Sequence, residues 1–189
     1  MTFIDLEKAY DRVPRKVLWW VLEKKKVATK YVKVIKDMYD GAITSVKTRD
    51  GTSSDIPITI GLHQGSAINP YLFALVMDEL TKGLQDEVPW SILFADDIVL
   101  IDETREGVNA KLELWRSTLE SKGFRVSRSK TEYMECEFSD LRLREACIVN
   151  MLGQDVPKKD VFKYIGPILH KREDVDEDVS HRIRAGWVK

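Results

Sequence analysis

The sequence predicts an α+β fold, an antiparallel sheet backed by helices, and three observations predict it. Segments with helical spacing and segments with strand character follow one another without strict alternation, the pattern of a mixed layer rather than of a parallel βαβ array. Asp96 and Asp97 stand between two short apolar stretches, Ser91 to Phe94 and Ile98 to Ile101, which reads as a tight hairpin. Hydrophobic residues make up 43% of the 189 and charged residues 32%, enough apolar surface for a core and too much for wholesale disorder.

In chain order, Thr2-Phe3-Ile4 is a short apolar start that ends in Asp5. Periodicity then turns helical until Pro14, which removes a backbone donor. Val17, Leu18, Val21 and Leu22 mark one helix, with Lys24-Lys25-Lys26 as a basic end. Tyr31, Val34, Ile35 and Met38 mark a second, stopped by Gly41. Ser45 to Arg49 and Ile56 to Ile60 flank Asp50-Gly51, a hairpin signal. Gly61 to Gly65 is a loop, and Pro70 opens a helix running to about Gln85, with Asn69 as its candidate cap. Leu112, Trp115 and Leu119 set a helix over 106–122, ended by Gly123. Phe124 to Val126, Tyr133 to Phe138, Ile148 to Leu152 and Val161 to Ile165 are strand candidates, and Val175 to Trp187 is a final amphipathic helix. Trp19, Trp20 and Trp115 fall at helical positions and read as core residues.

Lys plus Arg is 30 and Asp plus Glu is 31, a net charge of −1 that excludes a uniformly basic nucleic-acid coat. The even total hides an uneven spread: residues 1–50 carry a net +5, residues 51–107 a net −8 and residues 108–189 a net +2. An acidic middle between basic flanks suits a cation site within a surface that meets anions, and it suits solvated helix faces as well. No apolar run reaches the length that spans a bilayer. No basic-then-apolar leader is seen, so an intracellular protein is expected, nuclear or cytoplasmic. Cys136 and Cys147 make neither a disulfide framework nor a zinc site. His63, His170 and His181 are not spaced as metal ligands. Oligomeric state is left open.

The Asp96-Asp97 pair has two readings. Aspartate is common in turns, and two acids there are ordinary turn chemistry. Two acids with few local partners also repel each other, and a divalent cation between them relieves the repulsion. Asp5, at the end of a strand, is either a helix cap or a second acidic locus. If the two loci meet on adjacent strands, they form an oxygen-rich, Mg²⁺-type site for phosphoryl transfer. In Gly61-Leu62-His63-Gln64-Gly65-Ser66, the glycines let backbone approach a ligand, and an ordinary strand-to-helix turn explains them too.

The order of these segments carries a resemblance. Phe3-Ile4-Asp5-Leu6-Glu7-Lys8-Ala9-Tyr10-Asp11-Arg12-Val13-Pro14 resembles motif A of reverse transcriptases from non-LTR (LINE-type) retrotransposons. Gly61 to Pro70 with Tyr71-Leu72-Phe73 resembles motif B, and Phe94-Ala95-Asp96-Asp97 resembles motif C. Gly123-Phe124-Arg125-Val126 through Ser129-Lys130-Thr131-Glu132 is similar to motif D, and Phe162-Lys163-Tyr164-Ile165-Gly166 to the segment that opens the thumb.

The resemblance implies an RNA-directed DNA polymerase palm over 1–140, carrying motifs A to D, with a palm edge and partial thumb over 141–189. It implies two Mg²⁺ (or Mn²⁺) ions held by Asp5, Asp96, Asp97 and the Leu6 carbonyl. Tyr10 would lie against the incoming sugar, Gln64 and Gly65 would contact nucleotide and template, and Lys130 would stand near the triphosphate. Phe162, Lys163, Tyr164 and Gly166 would approach the primer end. The implied partners are an RNA template, a DNA primer and deoxynucleotide triphosphates, with no membrane. On periodicity alone Tyr10 reads as a core aromatic and Lys130 as a solvated lysine.

The sequence departs from the family in places. Only four residues precede Asp5, so a fingers region is expected to be missing, as is an upstream endonuclease domain. Asn69 stands where the family usually has Ser before Pro, and Lys26 and Pro167 replace smaller residues. The alternative expectation is therefore a non-catalytic, nucleic-acid-binding remnant of a decayed element.

Overall fold

A computed structural model of the chain describes residues 1–63, 65–85, 91–136, 148–163 and 168–171. Its elements run β1 (Thr2–Ile4), α1 (Ala9–Arg12), α2 (Arg15–Lys24), α3 (Thr29–Tyr39), β2 (Ile43–Thr44), β3 (Lys47–Thr48), β4 (Gly51–Thr52) and β5 (Ile56–Pro57). They continue with α4 (Asn69–Thr81), β6 (Ser91–Phe94), β7 (Asp97–Leu100), α5 (Arg105–Ser121), β8 (Glu132–Tyr133), β9 (Asn150–Met151), β10 (Gln154–Asp155), β11 (Val161–Lys163) and β12 (Ile168–His170). The class is α+β, and every ladder between named strands is antiparallel. Among the described residues no helix is long and apolar enough to cross a membrane.

The chain divides into two compact units. The first gathers the described residues of Met1–Asp5, Asp86–Arg116 and Val126–Lys189. Its centre is a four-stranded sheet in the order β6-β7-β1-β8. β1 is flanked on both sides, so Thr2, Phe3 and Ile4 are all buried, and the apolar Ile98-Val99-Leu100 run of β7 beside it is buried as well. Side chains alternate across a strand. Phe3 and Val99 therefore share one face, where they pack with Met134. Two hairpins complete the unit: β9 pairs with β10 across Leu152-Gly153, both with left-handed φ, and β11 pairs with β12. Left-handed φ at both central residues suits a two-residue hairpin, although Leu152 adopts it less readily than a glycine would.

The second unit gathers Leu6–Gln85 and Ser117–Arg125, with only its described residues considered. Leu18, Val21 and Leu22 bury one stripe of α2, and Leu72, Phe73, Val76, Met77 and Leu80 bury most of α4, the two helices packing together. Lys24, the last residue of α2, and Lys25 just after it reach Glu79 of α4 at 3.0 and 3.2 Å.

Several sequence expectations need correction. On α3 the buried stripe is Val32, Ile35 and Tyr39, while Tyr31, Val34 and Met38 are exposed. Both stripes have helical spacing, one residue out of phase, so periodicity alone could not choose. The hairpin near Asp50 turns at Arg49-Asp50, because Thr48 pairs with Gly51. Asn69 is not a cap: Ile68 takes that place and Asn69 is the first residue of α4, which ends at Thr81. Phe124 to Val126 forms no named strand. Trp115 is core as expected, but Trp20 is 42% exposed, with Lys24 Nζ 4.8 Å from its ring centroid. The helix expected over Val175 to Trp187 lies outside the described residues, as does Cys147, while Cys136 is half-buried.

Candidate active site

The register of the central sheet places the acids. β1 and β7 pair Thr2 with Leu100, Phe3 with Val99 and Ile4 with Ile98. The pairing ends there; Asp5 directly follows Ile4 and Asp97 directly precedes Ile98, so the two acids stand at the same end of the ladder and line one cleft. β6 and β7 close on the pair Phe94–Asp97, leaving Ala95-Asp96 as a two-residue turn with Ala95 at φ 54°. Asp97 is thus the first residue of a strand rather than part of the turn, and Asp96 sits at the tip.

Lys130 reaches this group from a separate turn. Thr131 is fully buried and bonds back to the Ser127 carbonyl through its amide at 3.0 Å and its hydroxyl at 2.7 Å. The Ser127 amide donates to the Asp5 carbonyl at 2.8 Å. These bonds fix the turn beside β1, and Lys130 Nζ lies 3.6 Å from Asp5 Oδ2, 71% exposed. Sequence reading missed Ser127 and Thr131; two hydroxyl residues four apart around a lysine were the available signal.

The electrostatics follow from the placement. Asp97 is exposed overall, yet its carboxyl is pushed above the ordinary carboxylate range, first by lost hydration and then by the charges of Asp96 and Asp5. A small cleft of about 90 Å³ opens among these groups. Asp5, Asp97 and Lys130 form its polar side; Phe3, Ile4, Ile98 and Phe162 form its apolar side. The cleft is well below the ~300 Å³ of a typical ligand pocket. It suits an ion or one phosphate group, not a whole nucleotide.

The donor set fits a hard divalent cation in kind, since it is all oxygen and its charges repel one another. Among the described residues, however, no three His, Cys, Asp or Glu side chains gather closely enough to hold a metal ion.

The structure therefore brings Asp5, Asp96, Asp97, Lys130 and Phe162 together in the first unit. Leu6, Tyr10 and Gly65 belong to the second. Leu6 is buried, and Tyr10 stacks on buried Phe73 with ring centroids 4.4 Å apart. Gly65 is exposed at φ 90°. Lys163 lies in β11, paired with Ile168. Gln64, Tyr164 and Gly166 lie outside the described residues.

Gly61 serves the protein's own backbone rather than a ligand. Its φ is 86°, and a Cβ there would stand 2.6 Å from the Asp11 carbonyl oxygen. Its amide donates to Val13 O at 2.9 Å, and the Leu62 amide donates to Tyr10 O at 2.8 Å. Asn69 clamps the other end of the same loop: its amide donates to the His63 carbonyl and its oxygen accepts from the Tyr39 hydroxyl at 2.6 Å. Asn69 thus uses both its donor and its acceptor, and its longer amide side chain spreads the two groups over two atoms.

Comparison with known proteins places these features in a family. Residues 1–169 match the family model described as reverse transcriptase (RNA-dependent DNA polymerase). The Pol polyprotein of the type-2 retrotransposable element R2DM of Drosophila melanogaster is 28% identical over 67% of this chain and 13% of that protein. The R2 Pol polyprotein of Nasonia vitripennis is also 28% identical, over 69% of this chain and 14% of that protein. Among solved structures, telomerase from Candida albicans, in complex with a TWJ fragment of telomeric RNA, matches with a TM-score of 0.59 at 16% identity. That match covers 89% of this chain and 29% of the telomerase chain, and it carries the fold alone.

Proposed function

The chain belongs to the reverse transcriptase (RNA-dependent DNA polymerase) family, and from that premise we propose that it supplies the acidic centre of an RNA-directed DNA polymerase from a non-LTR retrotransposon. It spans only 13–14% of the length of the two R2 proteins it matches. On this reading residues 1–140 are the palm and residues 141–189 a palm edge with part of a thumb. The partners are an RNA template, a DNA primer and deoxynucleotide triphosphates.

The observation that carries the proposal is the placement of the acids: Asp5 and Asp97 stand at the same end of the β1–β7 ladder and line one cleft, with Asp96 next to Asp97 in the turn. Asp5, Asp96 and Asp97, with the Leu6 carbonyl, are the groups that would hold two divalent ions. Bound Mg²⁺ or Mn²⁺ supplies Lewis-acid activation of a primer hydroxyl and charge neutralisation on the triphosphate. The chain's own residues do the rest. Asp97, whose carboxyl is raised first by lost hydration and then by the charges of Asp96 and Asp5, would be relieved by a cation beside it. Lys130 is exposed and close to Asp5, and on this reading it offers a proton to departing pyrophosphate. Tyr10 supports the sugar, Gln64 and Gly65 contact nucleotide and template, and the segment from Phe162 to Gly166 approaches the primer end.

The absence of a three-ligand cluster among the described residues favours a second reading, a non-catalytic nucleic-acid-binding remnant. One assay separates the two. Mg²⁺-dependent extension of a DNA primer on RNA by the purified chain, abolished by Asp96→Ala, supports the polymerase. Nucleic-acid binding without extension at any Mg²⁺ or Mn²⁺ concentration supports the remnant.

A further inference from the structure

The β11–β12 hairpin docks on the same sheet face that carries the acids. Phe162 of β11 stands directly opposite Leu169 of β12, so both project from one side of the hairpin. Both pack against the cluster of Phe3, Val99 and Met134. Phe3 precedes Asp5 by two positions and Val99 follows Asp97 by two, so this apolar cluster and the two carboxylates lie on one surface, end to end. Phe162 forms the junction. Its ring stacks on that of Phe3 at 3.5 Å between centroids and 19° between planes, and it also walls the cleft beside Asp5 and Asp97.

We propose that Phe162 is a positioning residue that acts through Phe3: the stacked rings clasp strand β1 to the β11–β12 hairpin and thereby hold Asp5 in the cleft it lines with Asp97. This rests on the polymerase reading of the acids and alters it, since the motif resemblance gave Phe162 a direct contact with primer. A ring stacked at 3.5 Å has one face occupied by Phe3, so that face is not open to a primer even though Phe162 lines the cleft. The physical consequence is a coupling. Anything that shifts the hairpin shifts β1, and the acid two residues beyond Phe3 moves with it. Packed aromatic pairs transmit displacement because neither ring has room to slide.

The test measures Mn²⁺ binding by the electron paramagnetic resonance of the free ion, without nucleic acid, alongside amide exchange of β1. Phe162→Leu keeps apolar bulk and removes the ring. It should weaken Mn²⁺ binding about fivefold, the weight of one aromatic pair, and speed exchange at Phe3 and Ile4. Phe162→Tyr should restore both. Leu169→Ala, from the same cluster but away from the cleft, should destabilise the fold and leave Mn²⁺ affinity within about twofold of wild type. In a Phe3→Leu background, Phe162→Leu should add nothing further. Unchanged β1 exchange in Phe162→Leu, or an equal loss of affinity in Leu169→Ala, overturns the clasp. Mn²⁺ binding that is absent in wild type, or that survives Asp5→Asn, instead overturns the acidic-site reading, and the exchange result still decides the clasp on its own.

Discussion

Strand β1 has two ends, and they treat negative charge in opposite ways. Where β1 begins, Met134 bonds to Met1 and leads into Glu135, a buried carboxylate. Arg105 Nη2 donates to both Glu135 oxygens at 2.9 and 2.7 Å, and Lys158 Nζ donates at 2.8 Å. Asp102, just past the partner strand, is matched in turn by Lys111 at 3.0 Å. Burial alone would push the Glu135 carboxyl up; the two cations overcome it and hold it at about 2. Where β1 ends, Asp5 and Asp97 line the cleft with exposed Lys130, and Asp96 adds its charge from the neighbouring turn. There the Asp97 carboxyl is raised, not lowered. One end is charge-matched within the protein, as a structural element must be. At the other, the described groups leave an excess of negative charge, which is where the proposed function would put a cation.

Mutations should break the two ends differently. The largest effect belongs to the matched end. Arg105→Ala removes the two-pronged partner of buried Glu135 and should cost about 3 kcal/mol in urea unfolding. The same end should govern acid stability. Glu135 has its folded value depressed from 4.5 to about 2, so its stabilisation is complete above pH 4.5 and is lost as pH falls towards 2. Glu135→Gln should remove that limb of the stability–pH curve.

The unmatched end should respond with the opposite sign. Asp97 is raised in the folded state, so its ionisation weighs against folding at neutral pH and protonation relieves it as pH falls. Asp97→Asn should therefore stabilise the metal-free protein at pH 7, by less than about 1 kcal/mol because the group is exposed. The smallest effect is sharper in meaning than in size. Lys130→Ala removes the ammonium that competes with a cation for Asp5, and should tighten Mn²⁺ binding about two- to fivefold, the weight of an exposed ion pair. Weaker binding in that variant would mean that Lys130 organises the acids instead of opposing the ion.

Much of this was legible in the sequence because it is local. The apolar run before Asp5, the apolar flanks of Asp96-Asp97 and the Leu112-Trp115-Leu119 stripe each declare an element within a few residues. What escaped reading depends on partners distant in sequence. Glu135 gave no sign of being matched, since Arg105 and Lys158 come from separate elements. The phase of α3 is set by Tyr39, whose hydroxyl meets Asn69 and whose carbonyl accepts from Arg15 at 2.8 Å. Gly61 looked available to a ligand because sequence cannot show that the Asp11 backbone already occupies the space. The stacking of Phe162 on Phe3 could not be read either, because the two lie near opposite ends of the chain. The candidate site was legible as residue types in family order; its division between acids at one end of a ladder and loops that clamp themselves was not.

The central claim is that the far end of β1 is a cation site built from Asp5, Asp96 and Asp97. Thermal melts with and without Mn²⁺ test it most directly, comparing wild type, the double variant Asp5→Asn with Asp96→Asn, and Glu135→Gln. At a hundredfold excess over the dissociation constant the ion should add about 2.7 kcal/mol to wild type. The account predicts that this shift is abolished in the double variant and kept in Glu135→Gln. A shift of full size in the double variant would contradict it.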